Sequence, residues 1–488
     1  MNGMVRFLAV ASGIEHVVVV GGKQFGMWMA QKIIEEVSAQ DVSFYIQDKN
    51  FQAKLRKLLR EETEAGKKIN PDKYTAHYYS ELCEIESLPP KTALLFDALA
   101  DFEILQSLSN LRPYLLCGAI ERGSIGAYEI WENYRKGSDI IYLVTWGAGK
   151  KDEVLYWTRR ADSDIELSVI YPMYNIAQYL EQCIATTTAW KADYVEFLFV
   201  DDGSPDNSAE IVKEAAKKDH RIKLLQKENG GCASARQYGL ERAKGRYVGF
   251  IDPDDYIDET MYHKLMRRAM TGGYEIAYSG YSQVYTEVGG TRQMPDLLGN
   301  PYMSGTCEPG DILKLCAFGR VAIWRGIYSM NMIKKTKIHF YTDLRRFDDL
   351  PFKFETLAVA KSVVSIPEHL YYYRMGRPGQ DVSADDDRLY VHFPIFNYLN
   401  EFVKSHGTNE LVEMLQVVKL QTHSYAIAKI KPEYLKEYLK RAHEDLISLY
   451  TPKDAKIINK RFLGKRERLL FSVIINENAS LAKKLARE

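Results

Sequence analysis

The sequence predicts an α/β protein with more than one domain, and three observations carry that expectation. At 488 residues the chain is too long for a single hydrophobic core. Its 46% apolar and 27% charged residues are those of a folded globular chain, not of a disordered, collagen-like or coiled-coil one. Short β-branched runs that stop at Gly, Asn or Asp alternate with helical patterns through the first 270 residues, which is how parallel sheets are written. The expected division is a Rossmann-like α/β domain over 1–155, a second α/β domain over 165–390, and a helical, basic region over 391–488.

In the first segment, Val17–Val20 reads as a strand and Gly21-Gly22 as the turn after it. A helix follows over Met27–Val37, and a second strand over Val42–Ile46 ends near Asp48. Lys54–Lys68 reads as a charged, solvated helix. Further strands are expected at Ala93–Phe96, Tyr114–Cys117 and Ile140–Val144. The loop Gly21-Gly22-Lys23-Gln24-Phe25-Gly26 is not the G-x-G-x-x-G fingerprint, although Asp48 stands at the spacing of a ribose-binding acid. The glycines read as turn formers into the first helix, and no dinucleotide role is assigned. The charge-rich stretch Lys150–Glu166 reads as a connection between domains.

The second segment is more informative. Leu167–Tyr171 is a strand running into Pro172-Met173-Tyr174-Asn175, with Asn175 as cap of a helix over Ala177–Thr187. Val195–Val200 ends in Asp201-Asp202-Gly203-Ser204, and Asn207 or Ser208 caps the next helix. Ile222–Leu225 leads to Asn229-Gly230-Gly231 and a helix from Cys232 to Ala243. Arg246–Ile251 ends in Asp252-Pro253-Asp254-Asp255, before a helix over Glu259–Met270. In sheets of this kind ligands bind outside the carboxyl ends of the strands, so the polar residues there should meet in one crevice.

Composition narrows the function classes. Lys plus Arg and Asp plus Glu number 65 each, so a generally basic nucleic-acid binder is excluded. The six cysteines form no C-x-x-C pair, which argues against a zinc site and for reduced thiols. With no apolar run as long as a membrane span, the expected location is cytoplasmic. Residues 451–488 carry ten Lys and Arg against four Asp and Glu, interleaved with apolar side chains. That pattern suits both a helix packed on the core and a peripheral contact at the inner face of an anionic membrane.

The chemistry follows from the strand ends. Asp252-x-Asp254 after a buried strand suits Mn²⁺ or Mg²⁺ bridging a diphosphate, with Asp255 as a further member. Asp202 can accept from a base edge, Tyr174 can stack on the base, the glycines of 229–231 admit a ligand close to the backbone, and Arg236 can reach phosphate. The segment 373–380, with Arg374, Arg377 and Gln380, reads as a loop over the donor.

These four stretches, 167–175, 199–208, 229–240 and 249–255, resemble the family 2 inverting glycosyltransferases of GT-A fold. The likeness extends more loosely to 390 through Trp324, Asp348-Asp349 and Leu370–Arg374. The resemblance implies a nucleotide-sugar donor, commonly a UDP-sugar, a divalent ion, and an acceptor hydroxyl on a glycan, a lipid-linked glycan or a protein. Pro172, Tyr174, Asn175, Asp201, Asp202, Asn229, Gly230, Gly231, Arg236 and Asp252 fall on nucleotide-binding positions. Asp252, Asp254 and Asp255 fall on the metal motif, and Arg374, Arg377 and Gln380 on the diphosphate side. Asp348-Asp349 stands where the family carries an acid pair whose second member is the base. Tyr171, Gln237 and Pro253 depart from the family pattern. The alternatives are a sugar-nucleotide pyrophosphorylase of related fold, which would carry a Gly-rich loop at 171–175, and a non-catalytic binding or scaffold protein.

Overall fold

A computed structural model describes residues 15–36, 41–78, 92–96, 115–120, 140–145, 153–158, 165–272, 274–285, 289–294, 309–376, 384–406 and 408–487. The chain divides into two compact units, Met1–Asp164 with Arg267–Tyr274, and Ile165–Met266 with Glu275–Glu488.

In the first unit the elements are β1 (His16–Gly21), α1 (Lys23–Glu36), β2 (Asp41–Ile46), α2 (Phe51–Glu64), β3 (Tyr74–Tyr78), β4 (Thr92–Phe96), β5 (Leu115–Ile120), β6 (Ile140–Thr145) and β7 (Glu153–Thr158). The sheet order is β3-β2-β1-β4-β5-β7-β6. The first five strands are parallel, and β5-β7-β6 are paired antiparallel. The strands β1 and β2 are buried at Val17–Gly21, Val42 and Phe44–Ile46, with α1 packed on both of them. The charged stretch expected to be a connection contains β7, whose Val154, Leu155, Tyr156 and Trp157 supply the strand pattern between charged ends.

The second unit opens with β8 (Leu167–Met173), α3 (Ala177–Thr187), β9 (Val195–Asp201), α4 (Ser208–Lys218), β10 (Ile222–Gln226), α5 (Cys232–Arg242), β11 (Tyr247–Phe250), β12 (Tyr256–Ile257) and the first residues of α6 (Met261–Gly272), which from Arg267 on belongs to the first unit. It continues with β13 (Ile276–Tyr285), β14 (Thr291–Gln293), α7 (Pro309–Phe318), β15 (Gly326–Ser329), α8 (Met330–Thr336), α9 (Asp349–Val359) and β16 (Val363–Met375). Six helices close it: α10 (His392–His406), α11 (Asn409–Lys429), α12 (Pro432–Leu446), α13 (Pro452–Phe462), α14 (Lys465–Ile475) and α15 (Ala479–Arg487). The sheet runs β10-β9-β8-β11-β15-β13-β16-β12, with β14 beside β13. The strands β10, β9, β8 and β11 are parallel, and β15 is antiparallel to β11.

One core joins Ile170, Val200 and Phe250 of the sheet to Phe340, Phe352 and then to Ile395, Leu399, Leu415 and Val418 of α10 and α11. A second core lies among the last helices, around Leu420, Ile427, Tyr438, Leu439, Leu470 and Ile474. Most apolar side chains of the basic tail are spent there, while Ile457, Leu469 and Leu481 stay exposed. Among the described residues no helix is long and apolar enough to cross a membrane.

Candidate active site

Parallel register brings the strand ends of the second unit together. Met173 pairs with Asp201 across β8 and β9, and the Asp202 N–H donates to the Met173 carbonyl at 2.9 Å. Phe250 pairs with Ile170, so the chain leaving β11 enters the same region. A cleft of about 1320 Å³ opens there. Pro172, Tyr174, Asn175, Asp202, Asn229, Gly231, Arg236, Asp252, Asp254, Asp348 and Asp349 all line it.

Local hydrogen bonds differ from the expected caps. Asn175 lies in the left-handed region at φ 52°, and α3 receives no bond from its side chain. Asp206 and Ser208 instead accept from the Ala177 and Ile176 N–H groups at 2.9 and 3.2 Å. The next helix, α4, has Asn207 at its N-cap position without a side-chain bond, and Asp206 accepts from the Ser208 N–H at 3.2 Å. Asp206 thus ties two helix starts to one another, a long-range job that short-range cap rules do not reveal.

Asp202 is buried and its carboxylate holds the glycine loop. It accepts from the Gly230 N–H at 3.0 Å, the Gly231 N–H at 2.7 Å and the Lys227 ammonium at 2.6 Å. Gly231 has φ 89°, a conformation that side-chain-bearing residues rarely adopt, so the loop requires glycine there. Asp201, expected at the nucleotide, is not part of the cleft wall. It accepts from the Ser204 N–H at 2.9 Å and the Gln226 amide at 3.2 Å, and so builds the turn behind Asp202.

The centre of the site is a buried arginine. Arg236 donates to Asp348 at 2.7 Å and to Asp252 at 2.5 Å, linking the end of β11 to the start of α9. The sequence expectation put it on phosphate; two carboxylates hold it instead. Such a clamp offsets the repulsion of three acids in a confined space. Burial pushes the Asp348 carboxyl up despite Arg236. Asp349, at the first turn of α9, is raised to about 7 by burial and by the charge of Asp348.

The residue before the acid pair, Phe347, has φ 54°. Its ring lies 5.2 Å from that of His392 at the start of α10. His392 hydrogen-bonds the Tyr438 hydroxyl at 3.0 Å, and the same hydroxyl meets His423 at 2.9 Å. His423 in turn bonds Asp445, which also pairs with Lys419 at 2.7 Å. Burial holds the His392 pKa down to about 3, so it is neutral.

Two further expectations change. Asp255 is fully buried and accepts from the Tyr371 hydroxyl at 2.8 Å and the Arg374 N–H at 2.7 Å. It fastens β16 to the acid motif and does not reach the cleft wall. Arg374 donates to the Asp254 carbonyl at 2.8 Å and to Gln182 at 2.7 Å, and its guanidinium lies over Tyr179 and Tyr256. It therefore braces the motif from behind instead of facing the cleft. Arg377 and Gln380 lie outside the described residues. The departures are absorbed locally: Tyr171 stacks on Phe199 at 4.0 Å, Gln237 accepts from the Phe340 N–H at 2.9 Å, and Pro253 joins the wall.

Among the described residues no group of three or more His, Cys, Asp or Glu is placed to hold a metal on protein ligands alone. The two carboxylates of the acid motif that reach the wall, Asp252 and Asp254, fit an ion whose other ligands are phosphate oxygens and water. Sequence reasoning missed the rest of the wall: Arg345, Arg346 and His392, and Val418, Gln421, Thr422 and Tyr425 from α11. Trp324, stacked on Tyr371 and Tyr373 at 4.1 and 5.3 Å, completes an aromatic side.

Residues 168–329 match the family model "Glycosyl transferase family 2". The chain carries a family 2 glycosyltransferase domain. The transferase segment is 31% identical over 212 residues to the uncharacterized glycosyltransferase EpsJ of Bacillus subtilis (strain 168), covering 43% of this chain and 60% of that protein. It is 34% identical over 194 residues to the uncharacterized glycosyltransferase YibD of Escherichia coli (strain K12), covering 38% of this chain and 55% of that one. The chain thus spans little more than half the length of these curated relatives. The transferase fold is shared with S. aureus TarS 1-349 in complex with UDP-GlcNAc, at 19% identity and a TM-score of 0.53, over 66% of this chain and 90% of that one.

Proposed function

We propose that this protein is a metal-dependent inverting glycosyltransferase that moves a sugar from a UDP-linked donor to an acceptor hydroxyl. The observation that carries the reading is the single cleft shared by Tyr174, Asp202, Asp252, Asp254 and Asp349. UDP as the nucleotide is supported by TarS, which has been solved with UDP and with UDP-GlcNAc.

In this reading Tyr174, 53% exposed, stacks on the base. Asp202, accepting from Lys227, Gly230 and Gly231, keeps the Asn229–Gly231 loop closed beside the base. Asp252 and Asp254 hold Mn²⁺ or Mg²⁺, which when bound neutralises charge on the leaving diphosphate. Asp349, poised at about 7, takes the proton of the acceptor hydroxyl. The freed oxygen attacks the anomeric carbon as the bond to the diphosphate breaks on the opposite face. Arg236 bridges Asp348 and Asp252 and so holds the start of α9 in register with the end of β11.

The acceptor is a hydroxyl of a glycan, lipid-linked or protein substrate. Peripheral contact with an anionic membrane is supported by Ile457, Leu469 and Leu481, which stand exposed among the Lys and Arg of the tail. Sedimentation with phosphatidylglycerol vesicles, against phosphatidylcholine vesicles, tests that contact; equal recovery with both removes it.

The decisive experiment is a thermal-shift and donor-hydrolysis screen of the intact chain with UDP, GDP and UDP-sugars, with and without Mn²⁺. A shift by UDP and hydrolysis of a UDP-sugar, both lost with chelator, are expected. Neither response to any nucleotide would overturn the reading.

A further inference from the structure

The cleft is larger than its donor half requires. Pockets for one small molecule run to roughly 300–1,000 Å³; this one is about 1320 Å³. Part of the surplus is walled by α11, which lies outside the matched family segment. Four of its residues face the cleft, Val418, Gln421, Thr422 and Tyr425. Their spacing of i, i+3, i+4 and i+7 is one stripe of a helix. The flanking residues Lys419, Leu420, His423, Ala426 and Ile427 are buried, as is Val418 itself.

Val418 is buried in the core at one end of the stripe, while Gln421 and Thr422 are half-buried and Tyr425 is 37% exposed, so the stripe presents an amide, a hydroxyl and a phenol. Among the described residues six large apolar side chains are exposed, and three of them, Tyr174, Val321 and Tyr425, lie in this cleft. Tyr174 belongs to the nucleotide side. Val321 follows α7, which packs against α11, so it and Tyr425 mark a second, separate wall. The stripe has no charged member, and Arg320 of the adjoining loop is itself engaged within the protein.

We infer that this α11 stripe is the acceptor subsite and that it takes a sugar ring of a glycan chain. The Tyr425 ring offers an apolar face to the C–H side of the sugar, with the Lys429 ammonium 4.7 Å from the ring centre. Gln421 and Thr422 offer donors and acceptors that match neutral sugar hydroxyls. The inference rests on the transferase reading, because it assumes that the donor fills the other side.

The test is a glycan array probed with the full chain in UDP and Mn²⁺, with UDP thermal shifts recorded on the same samples. Wild type should retain a defined set of glycans. Gln421→Ala with Tyr425→Ala should lower that signal at least tenfold, Tyr425→Phe should keep most of it, and the UDP shift should be the same in all. Gln421→Ala alone replaces the double variant if the latter fails to fold. A wild-type protein that binds UDP but no glycan, or a double variant that binds glycans as wild type does, overturns the inference alone. A wild type without a UDP shift overturns the transferase reading beneath it.

Discussion

Both units of this protein lay four parallel strands in the same order, β3-β2-β1-β4 in the first and β10-β9-β8-β11 in the second. Each also packs a helix closely through a glycine. A Cβ on Gly26 would meet Ile46 at 2.6 Å and Phe51 at 2.9 Å; one on Gly239 would meet Ile170 at 2.6 Å. The strand ends differ. In the first unit Asp48 accepts from the Asn50 N–H at 3.0 Å and pairs with Lys54, so the acid at the ribose spacing is used to start α2. In the second unit Asp252, Asp254, Asp348 and Asp349 all reach a cleft. The comparison teaches that the winding order provides a crevice, while the side chains left uncommitted at its mouth decide whether it has chemistry.

The contrast can be broken by experiment, and the largest effect is expected at the base. Asp349→Asn should lower sugar transfer by roughly two to four orders of magnitude, the usual worth of general-base catalysis, while UDP affinity stays near wild type. Rate constants and UDP titrations on the same preparation check this; near wild-type transfer would move the base elsewhere. Asp254→Ala should abolish Mn²⁺-dependent transfer and weaken UDP binding only when Mn²⁺ is present. Activity of the wild type that survives chelator would remove the metal from the reading.

Arg236→Met should cost stability as well as turnover. It leaves Asp348 buried without its partner, and breaking a buried pair costs about 3–5 kcal/mol. Urea unfolding measures that loss, and a loss below about 1 kcal/mol would mean that the clamp is not needed to hold the acids. The pH dependence has a defined sign. Asp349 must be ionised to accept a proton, so kcat/KM should fall below pH about 7 and level off above it. A flat profile between pH 5.5 and 8 would separate the rate from this carboxylate.

The smallest effect is expected in the first unit. Gly26→Ala overpacks α1 against Ile46 and Phe51 and should cost roughly 1–3 kcal/mol of that unit's stability. It should leave the UDP thermal shift unchanged, and calorimetry should find no tight NAD or S-adenosylmethionine binding by the chain. Tight binding of either would erase the difference between the two units.

How much was legible depended on the range of the interaction. Period-2 and 3.6-residue patterns, with Gly and Asp at strand ends, suffice for β8 to α5 and for the acids at 202, 252 and 254, because those signals are local; Asp348 and Asp349 are marked only by the family resemblance. Even β7 has its apolar run, Val154 to Trp157, hidden by the charges of Lys150–Glu166. What local signals lack is a partner's identity. Nothing near Asp255 says that its oxygens belong to Tyr371 and the Arg374 N–H, 116 and 119 residues away. Nothing near Arg236 says that its guanidinium bridges Asp252 and Asp348, the latter 112 residues away.

The sequence by itself determined the alternating strands and helices, the glycine at the left-handed position 231, and which carboxylates stand at strand ends, since each follows from backbone sterics and side-chain period. Only the tertiary structure decided which acids face the cleft and which are consumed as braces. It also brought α11 and His392 to the wall, because α10 packs against α9 and α11 against α7, elements that lie tens of residues away along the chain. A carboxylate's role is set by what stands within about 3 Å of its oxygens, and that distance is a property of the fold.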